Sequence, residues 1–105
     1  MLEKELEGLL REETRRQGGR CYKWTSPGNT GVPDRIVILP AGKVGFVEMK
    51  QEGKKPTRNQ VLQLNRLLKL GCRVYLLDRE ASIKEVLADI AKGCCPGVRW
   101  KEQRL

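Results

Sequence analysis

The chain contains no histidine, and aromatic residues make up only 5% of it. The first absence excludes a histidine general base or nucleophile, and it excludes zinc sites that need histidine ligands. The second argues against a platform of stacked aromatic rings for single-stranded nucleic acid. Any catalysis must therefore rest on carboxylates, lysine and a bound metal ion.

The cysteines also lack the paired spacing of a zinc-binding module. Cys21 and Cys72 each open an apolar run, which predicts buried thiols in a reducing compartment. We assign no function to the adjacent Cys94 and Cys95. The sequence also has no apolar stretch that suggests a signal peptide or a membrane span, so we expect a cytoplasmic protein without a membrane partner.

Positive charge, by contrast, is abundant. Lys and Arg number 21 against 13 Asp and Glu, a formal charge of +8, which favours a polyanionic partner. The length of 105 residues predicts one domain, which we place at residues 1–95 with a basic tail at 96–105.

Hydrophobic periodicity predicts three helices and four strands in the order α-β-β-β-α-β-α, an α/β fold with a mixed sheet flanked by helices. The second and third helices each open with a capping-box pattern, at Thr57 and at Ser82. The predicted helices cover residues 2–17, 57–70 and 82–92, and the predicted strands lie near 21–24, 36–39, 44–47 and 73–77.

The most informative segment runs from Gly31 to Lys50 and holds two apolar runs joined by Pro40-Ala41-Gly42. If these three residues form a hairpin loop, Leu39 pairs with Lys43. Each further pair lies one residue outward on both strands, so its two residue numbers also add up to 82. The two runs are apolar on both faces, which predicts central strands buried on both sides.

This register places Asp34 opposite Glu48, with Cβ atoms ~4.5–5.5 Å apart. Lys50 points to the same face as Glu48, because alternate side chains of a strand share a face. The bland alternative is a surface salt bridge between Lys50 and one carboxylate. Charges at the end of buried strands are costly for stability alone, so we favour a site for a divalent metal and a phosphate.

These residues also carry a resemblance to a known family. The chain resembles the virus-type replication-repair nuclease (VRR-NUC) domains of the PD-(D/E)xK nuclease superfamily, in the standalone viral or bacterial form. The resemblance runs from about residue 3 to about residue 78 and implies a restriction-endonuclease-like core. The matching segments are Thr25-Ser26-Pro27-Gly28, Gly31-Val32-Pro33-Asp34, Glu48-Met49-Lys50 and Gln60.

The superfamily often supplies a further acid from the first helix, and here Glu3 and Glu7 compete; we favour Glu3. Either acid could instead serve only the helix dipole. Gln60 has two interpretations as well, either as part of the Thr57 capping box or, by resemblance, as the glutamine beside the active site. The cations expected to contact phosphates are Lys54, Lys55 and Arg58, with Arg66 and Lys69 as further candidates.

The hypothesis from sequence is a DNA endonuclease that uses Mg²⁺ or Mn²⁺, hard ions suited to oxygen ligands. The ligands would be Asp34, Glu48, the Met49 backbone carbonyl and Glu3, with Lys50 orienting the attacking water. The family resemblance implies a homodimer similar to Holliday-junction resolvases, encoded by a bacterium or phage and needing no small-molecule cofactor. Alternatives are a flap, single-strand or sequence-specific nuclease of the same chemistry, or a non-catalytic DNA-binding module.

Overall fold

The structure, a computed structural model, describes residues 1–93. The basic tail predicted at 96–105 lies outside the described residues, as do Cys94 and Cys95. The described part forms a mixed sheet with flanking helices, which confirms the predicted α/β class and element order. The elements are α1 (Glu3–Arg16), β1 (Arg20–Lys23), β2 (Arg35–Leu39), β3 (Lys43–Met49), α2 (Arg58–Lys69), β4 (Val74–Leu77) and α3 (Ile83–Ala91).

The four strands lie in the order β1-β2-β3-β4. β1, β2 and β3 are antiparallel, whereas β4 runs parallel to β3 after the crossover through α2. Leu39 pairs with Lys43 and Arg35 pairs with Val47, which confirms the predicted hairpin register. The turn at 40–42 holds this register with left-handed backbone at Ala41 (φ 70°) and Gly42 (φ 70°).

One face of the sheet carries the hydrophobic core. α1 and α3 pack side by side against it, and Leu10, Val37, Leu87 and Ile90 are fully buried there. Gly45 is required at the centre of this face, since a Cβ would lie 2.6 Å from the Ile90 side chain. The core therefore fixes β2 and β3, the strands that carry the predicted site.

The opposite face of the sheet is only partly covered. α2 packs near β4 and has no buried residue, with Leu68 54% exposed. At the hairpin end of the same face, Ile38 and Val44 are 37% and 41% exposed. Burial of both hairpin strands on both faces was therefore wrong for these residues, because α2 covers only the β4 side of the sheet.

The two predicted capping boxes differ in outcome. At α2 the Thr57 hydroxyl accepts from the Gln60 backbone, and the Gln60 side chain accepts from the Thr57 N–H at 2.8 Å, as predicted. At α3 Ser82 makes no capping hydrogen bond. Ser82 ends a 3₁₀ turn (Glu80–Ser82) with φ −90° and ψ −8°, whereas a capping side chain needs extended backbone to reach back to the helix.

The described cysteines are free thiols. Cys21 is buried and Cys72 is half-buried, so deep burial holds for the first only. Burial raises the pKa of the Cys21 thiol above its usual value. Among residues 1–93, none of the helices combines the length and the apolar content that a membrane crossing requires.

Candidate active site

Asp34 and Glu48 meet at one end of the β2–β3 hairpin. The observed register, continued by one pair beyond Arg35 and Val47, places the two residues opposite each other. The Asp34 carboxylate accepts a hydrogen bond from the Met49 backbone N–H at 2.9 Å. This bond fixes Asp34 against the strand that carries Glu48.

Glu48 is buried, with only 1% of its surface exposed. Its Oε2 accepts a hydrogen bond from Gln60 at 3.0 Å, but its Oε1 has no hydrogen-bond partner among the described residues. Burial, followed by the negative charge of Asp34, raises the pKa of Glu48 to about 8. A carboxylate with a buried, unpartnered oxygen and a neighbouring carboxylate is suited to sharing a cation.

Lys50 and Glu3 complete the surroundings of this pair. The Lys50 charge lowers the pKa of Glu48 and the Glu3 charge raises it, although burial and Asp34 outweigh both. Glu3, at the start of α1, accepts a hydrogen bond from the Gln51 backbone at 3.3 Å. The first helix therefore reaches the same end of the sheet as the hairpin.

Glu7 is engaged elsewhere. Its carboxylate accepts a hydrogen bond from the Arg35 guanidinium at 2.8 Å, and both side chains are largely buried. This ion pair joins α1 to β2 directly beside Asp34. Of the two competing acids, Glu3 is the one whose charge raises the pKa of Glu48. Glu7 is instead the ion-pair partner of Arg35.

The Gln60 side chain makes two contacts, one for each interpretation that the sequence left open. Its Oε1 closes the Thr57 capping box, while its Nε2 donates to Glu48. One amide can do both because its acceptor and donor ends bind separate groups. The capping box thus holds Gln60 in the orientation that reaches the buried carboxylate.

The loop before Asp34 positions α2. Gly31 has φ 91°, and a Cβ there would lie 2.6 Å from the Asn59 carbonyl carbon. The Gln63 side chain donates to the Thr30 backbone carbonyl at 3.3 Å. The glycine of the Gly-x-Pro-Asp segment therefore lets the loop pack directly against the first turn of α2. That turn carries Gln60, so the contact helps to position Gln60 beside Glu48.

The donor set fits a hard divalent cation with water ligands. Among residues 1–93, no group of three or more His, Cys, Asp or Glu side chains is arranged as a complete metal cage. Two facing carboxylates, with a backbone carbonyl between Glu48 and Lys50, match the habit of Mg²⁺ of keeping several waters and taking few protein ligands. The unpartnered Glu48 Oε1 supplies a free ligand position for such an ion.

The predicted phosphate-binding cations lie on the connector to α2 and on its first turn. Lys54, Lys55 and Arg58 are all exposed, and Arg58 lies in the same turn as Gln60. Sequence reasoning missed the Arg35–Glu7 pair. A signal was present, because Arg35 follows Asp34 directly, and Glu7 lies one helical turn after Glu3 and therefore on a similar face.

Two comparisons with known proteins bear on this arrangement. The phage protein "Putative nuclease p44" of Acyrthosiphon pisum secondary endosymbiont phage 1 is 49% identical over 78 residues, 74% of this chain and 84% of that protein. A solved structure described as a VRR_NUC domain matches with a TM-score of 0.76 and 30% identity, over 82% of this chain and 94% of that one.

The chain belongs to the VRR-NUC family. No family model matches the sequence, so the assignment rests on the relative and the solved structure together. It confirms the family suggested by the Gly-x-Pro-Asp and Glu-x-Lys segments, and it identifies the protein as a nuclease of VRR-NUC type. A divalent metal is general to nucleases of this fold.

Proposed function

We propose that this VRR-NUC protein is an endonuclease that hydrolyses DNA phosphodiester bonds with Mg²⁺ or Mn²⁺. The observation that carries the proposal is the buried Glu48 carboxylate, which faces Asp34 and keeps one oxygen unpartnered. A structural ion pair would leave neither a carboxylate pair nor a raised pKa, since both charges would be matched. The net charge of +8 supports a nucleic-acid substrate.

Each residue of the site has a separate duty in this proposal. Asp34, Glu48 and the Met49 carbonyl, with Glu3 contributing from α1, would hold the metal. The ion would polarise the scissile phosphate and lower the pKa of a water. Lys50 orients that water and offsets negative charge developing on the phosphate. Gln60 keeps Glu48 in place through its side-chain amide.

For the substrate we propose branched DNA, with four-way junctions preferred. Cleavage would leave a 5′-phosphate and a 3′-hydroxyl, the outcome that the family resemblance implies. The family resemblance to junction-resolving enzymes supports this preference. We place this activity in the cytoplasm of a bacterial host.

A panel of labelled DNAs tests the substrate. Four-way junctions, flaps, linear duplex and single strands of matched length would be incubated with the protein in Mg²⁺ and in Mn²⁺. The proposal expects the junction to be cut at least tenfold faster than the linear duplex. Equal rates on junction and duplex would contradict junction preference, and no cleavage of any DNA would favour a binding module.

We also propose a homodimer, which would place two active sites on one branched substrate. The open face of the sheet supports this, because Tyr22, Ile38 and Val44 are all more than a third exposed on neighbouring strands. A second copy covering these side chains would remove apolar surface from water. Light scattering at micromolar concentration should give twice the chain mass, and Val44→Glu should give a monomer. A monomeric wild type would contradict the dimer.

A further inference from the structure

α1 and β1 form an exposed basic groove that the proposed chemistry does not use. Arg11, Arg15 and Arg20 line one stretch of it, and Lys4 and Lys23 line the stretch nearer to Glu3. All five cations are exposed, and within residues 1–93 none of them forms an ion pair with a carboxylate. The groove is also lined by Glu3, Glu7 and Glu12, but Glu7 pairs with Arg35 and Glu12 pairs with Arg16. The five cations therefore leave an excess of positive charge in a groove that begins beside the active site.

The three cations of α1 form one straight row. At about 100° per residue, Arg11 and Arg15 lie within about 20° of Lys4 around the helix axis. The row from Lys4 to Arg15 is about 16 Å long at about 1.5 Å per residue. That length corresponds to about five phosphates of one DNA strand at about 3.4 Å each.

The helix dipole does not account for this row. A cation in the last turn, such as Arg15, is favourable there, but Lys4 lies in the first turn, where positive charge is disfavoured. Arg11 lies in the middle of the helix, where the dipole has little effect. An external polyanion explains all three positions at once.

A glycine in the same row gives an independent indication of close approach. Gly8 lies about 40° from Lys4 around the axis and lines the groove. Glycine inside a helix costs about 1 kcal/mol relative to alanine. A Cβ at Gly8 would meet no atom within 4 Å, so packing inside the protein does not require a glycine here. Its absent side chain instead leaves the groove floor open to a partner.

We propose that this groove is a phosphate track that holds a duplex arm of the DNA substrate as it leaves the active site. Lys4, Arg11, Arg15, Arg20 and Lys23 contact the sugar-phosphate backbone, and Gly8 is the point of closest approach. Such contacts position the duplex without reading its sequence. The proposal rests on the nuclease function above and adds the path of the DNA.

The test measures binding to a labelled junction in EDTA, so that no cleavage occurs, across a series of salt concentrations. Loss of two phosphate contacts in the double variant R11Q/R15Q should reduce the slope of log affinity against log salt by about 1.8. The matched control K84Q/K92Q removes the same charge from exposed positions on and just after α3, outside the groove. It should keep the wild-type slope.

Gly8→Gln provides a second measurement that a folding defect cannot imitate. Glutamine is the better helix former, so the melting temperature should rise, while the added side chain should lower DNA affinity several-fold. The track is contradicted if R11Q/R15Q changes the slope no more than K84Q/K92Q does, or if Gly8→Gln binds as wild type. A wild type that cuts DNA while these variants bind normally would refute the track alone. A wild type that neither binds nor cuts any DNA would refute the nuclease function.

Discussion

The Gln60 side-chain amide donates a hydrogen bond of 3.0 Å to the buried carboxylate of Glu48, while its oxygen caps α2 at Thr57. A local helix-capping motif is thereby connected to the proposed metal site. Because the two ends of the amide have different partners, substitutions can separate the structural contribution from the functional one.

Gln60→Glu keeps an acceptor for the Thr57 N–H but loses the donor to Glu48. We expect cleavage to fall about 10–100-fold, the usual cost of losing a group that orients a metal ligand. Thr57→Ala is the matched control, since it removes the cap and should cost about 1 kcal/mol of stability. Cleavage by Thr57→Ala at saturating Mg²⁺ should stay near wild type. Similar cleavage losses in both variants would show that Gln60 acts only through the helix.

The raised pKa of Glu48 predicts a pH dependence of metal binding. Because the pKa of Glu48 is about 8, at lower pH a proton must leave this carboxylate before it binds a cation. The Mg²⁺ affinity should therefore increase up to about tenfold per pH unit between pH 6 and 8 and level off above that. Calorimetry in buffers of different ionisation enthalpy would count the proton released. A pH-independent affinity would contradict the assignment.

The same pKa shift affects the stability of the metal-free protein. The pKa of Glu48 in the folded protein lies above the ordinary value of 4.5, so the folded state binds the proton more tightly than the unfolded state does. The free energy of unfolding that this adds is fully present below pH 4.5 and is lost as the pH rises through 8. Urea denaturation in EDTA should therefore show this loss in wild type and not in Glu48→Gln. An identical pH profile for the two proteins would exclude a strongly perturbed Glu48.

Gly31→Ala should move α2 away from Glu48. Its backbone is left-handed, and a Cβ would also collide with Asn59. Gly28 offers a matched control, since it has φ 83° but nothing within 4 Å of a Cβ. Both variants should lose about 1–3 kcal/mol of stability from backbone strain. Only Gly31→Ala should also lower the cleavage rate at temperatures where both remain folded; equal rates would mean that the Gly31–Asn59 contact does not position Gln60.

Glu3 and Glu7 should differ in what their loss affects. Glu3→Gln should weaken cleavage at limiting Mg²⁺ with little change in melting temperature. Glu7→Gln removes the partner of a largely buried Arg35 and should cost about 1–3 kcal/mol of stability. Cleavage at saturating Mg²⁺ should be largely retained in Glu7→Gln. The reverse pattern would assign the helix acid to Glu7.

The hairpin was predictable because strand pairing and side-chain alternation follow from residue spacing alone. A three-residue loop fixes Leu39 against Lys43, and the register then brings Asp34 to Glu48. The metal-binding chemistry of this site stays a prediction, and it rests on the two carboxylates and the lysine at the end of these apolar strands.

Other features depend on contacts that spacing does not encode. The exposure of Val44 reflects where α2 stops covering the sheet. The missing cap at Ser82 reflects a 3₁₀ turn that precedes α3. The basic groove depends on how the turn at 17–19 folds β1 back beside α1, which brings Arg20 to the same groove as Arg11.

Single-turnover cleavage of a labelled four-way junction in Mg²⁺, by wild type and by Asp34→Asn prepared identically, tests the central claim most directly. We predict symmetric cuts by the wild type, their loss in EDTA, and no cleavage by Asp34→Asn, with junction binding retained by the variant. Metal-dependent cleavage by Asp34→Asn at the wild-type rate, or no cleavage by the wild type in either Mg²⁺ or Mn²⁺, would contradict it.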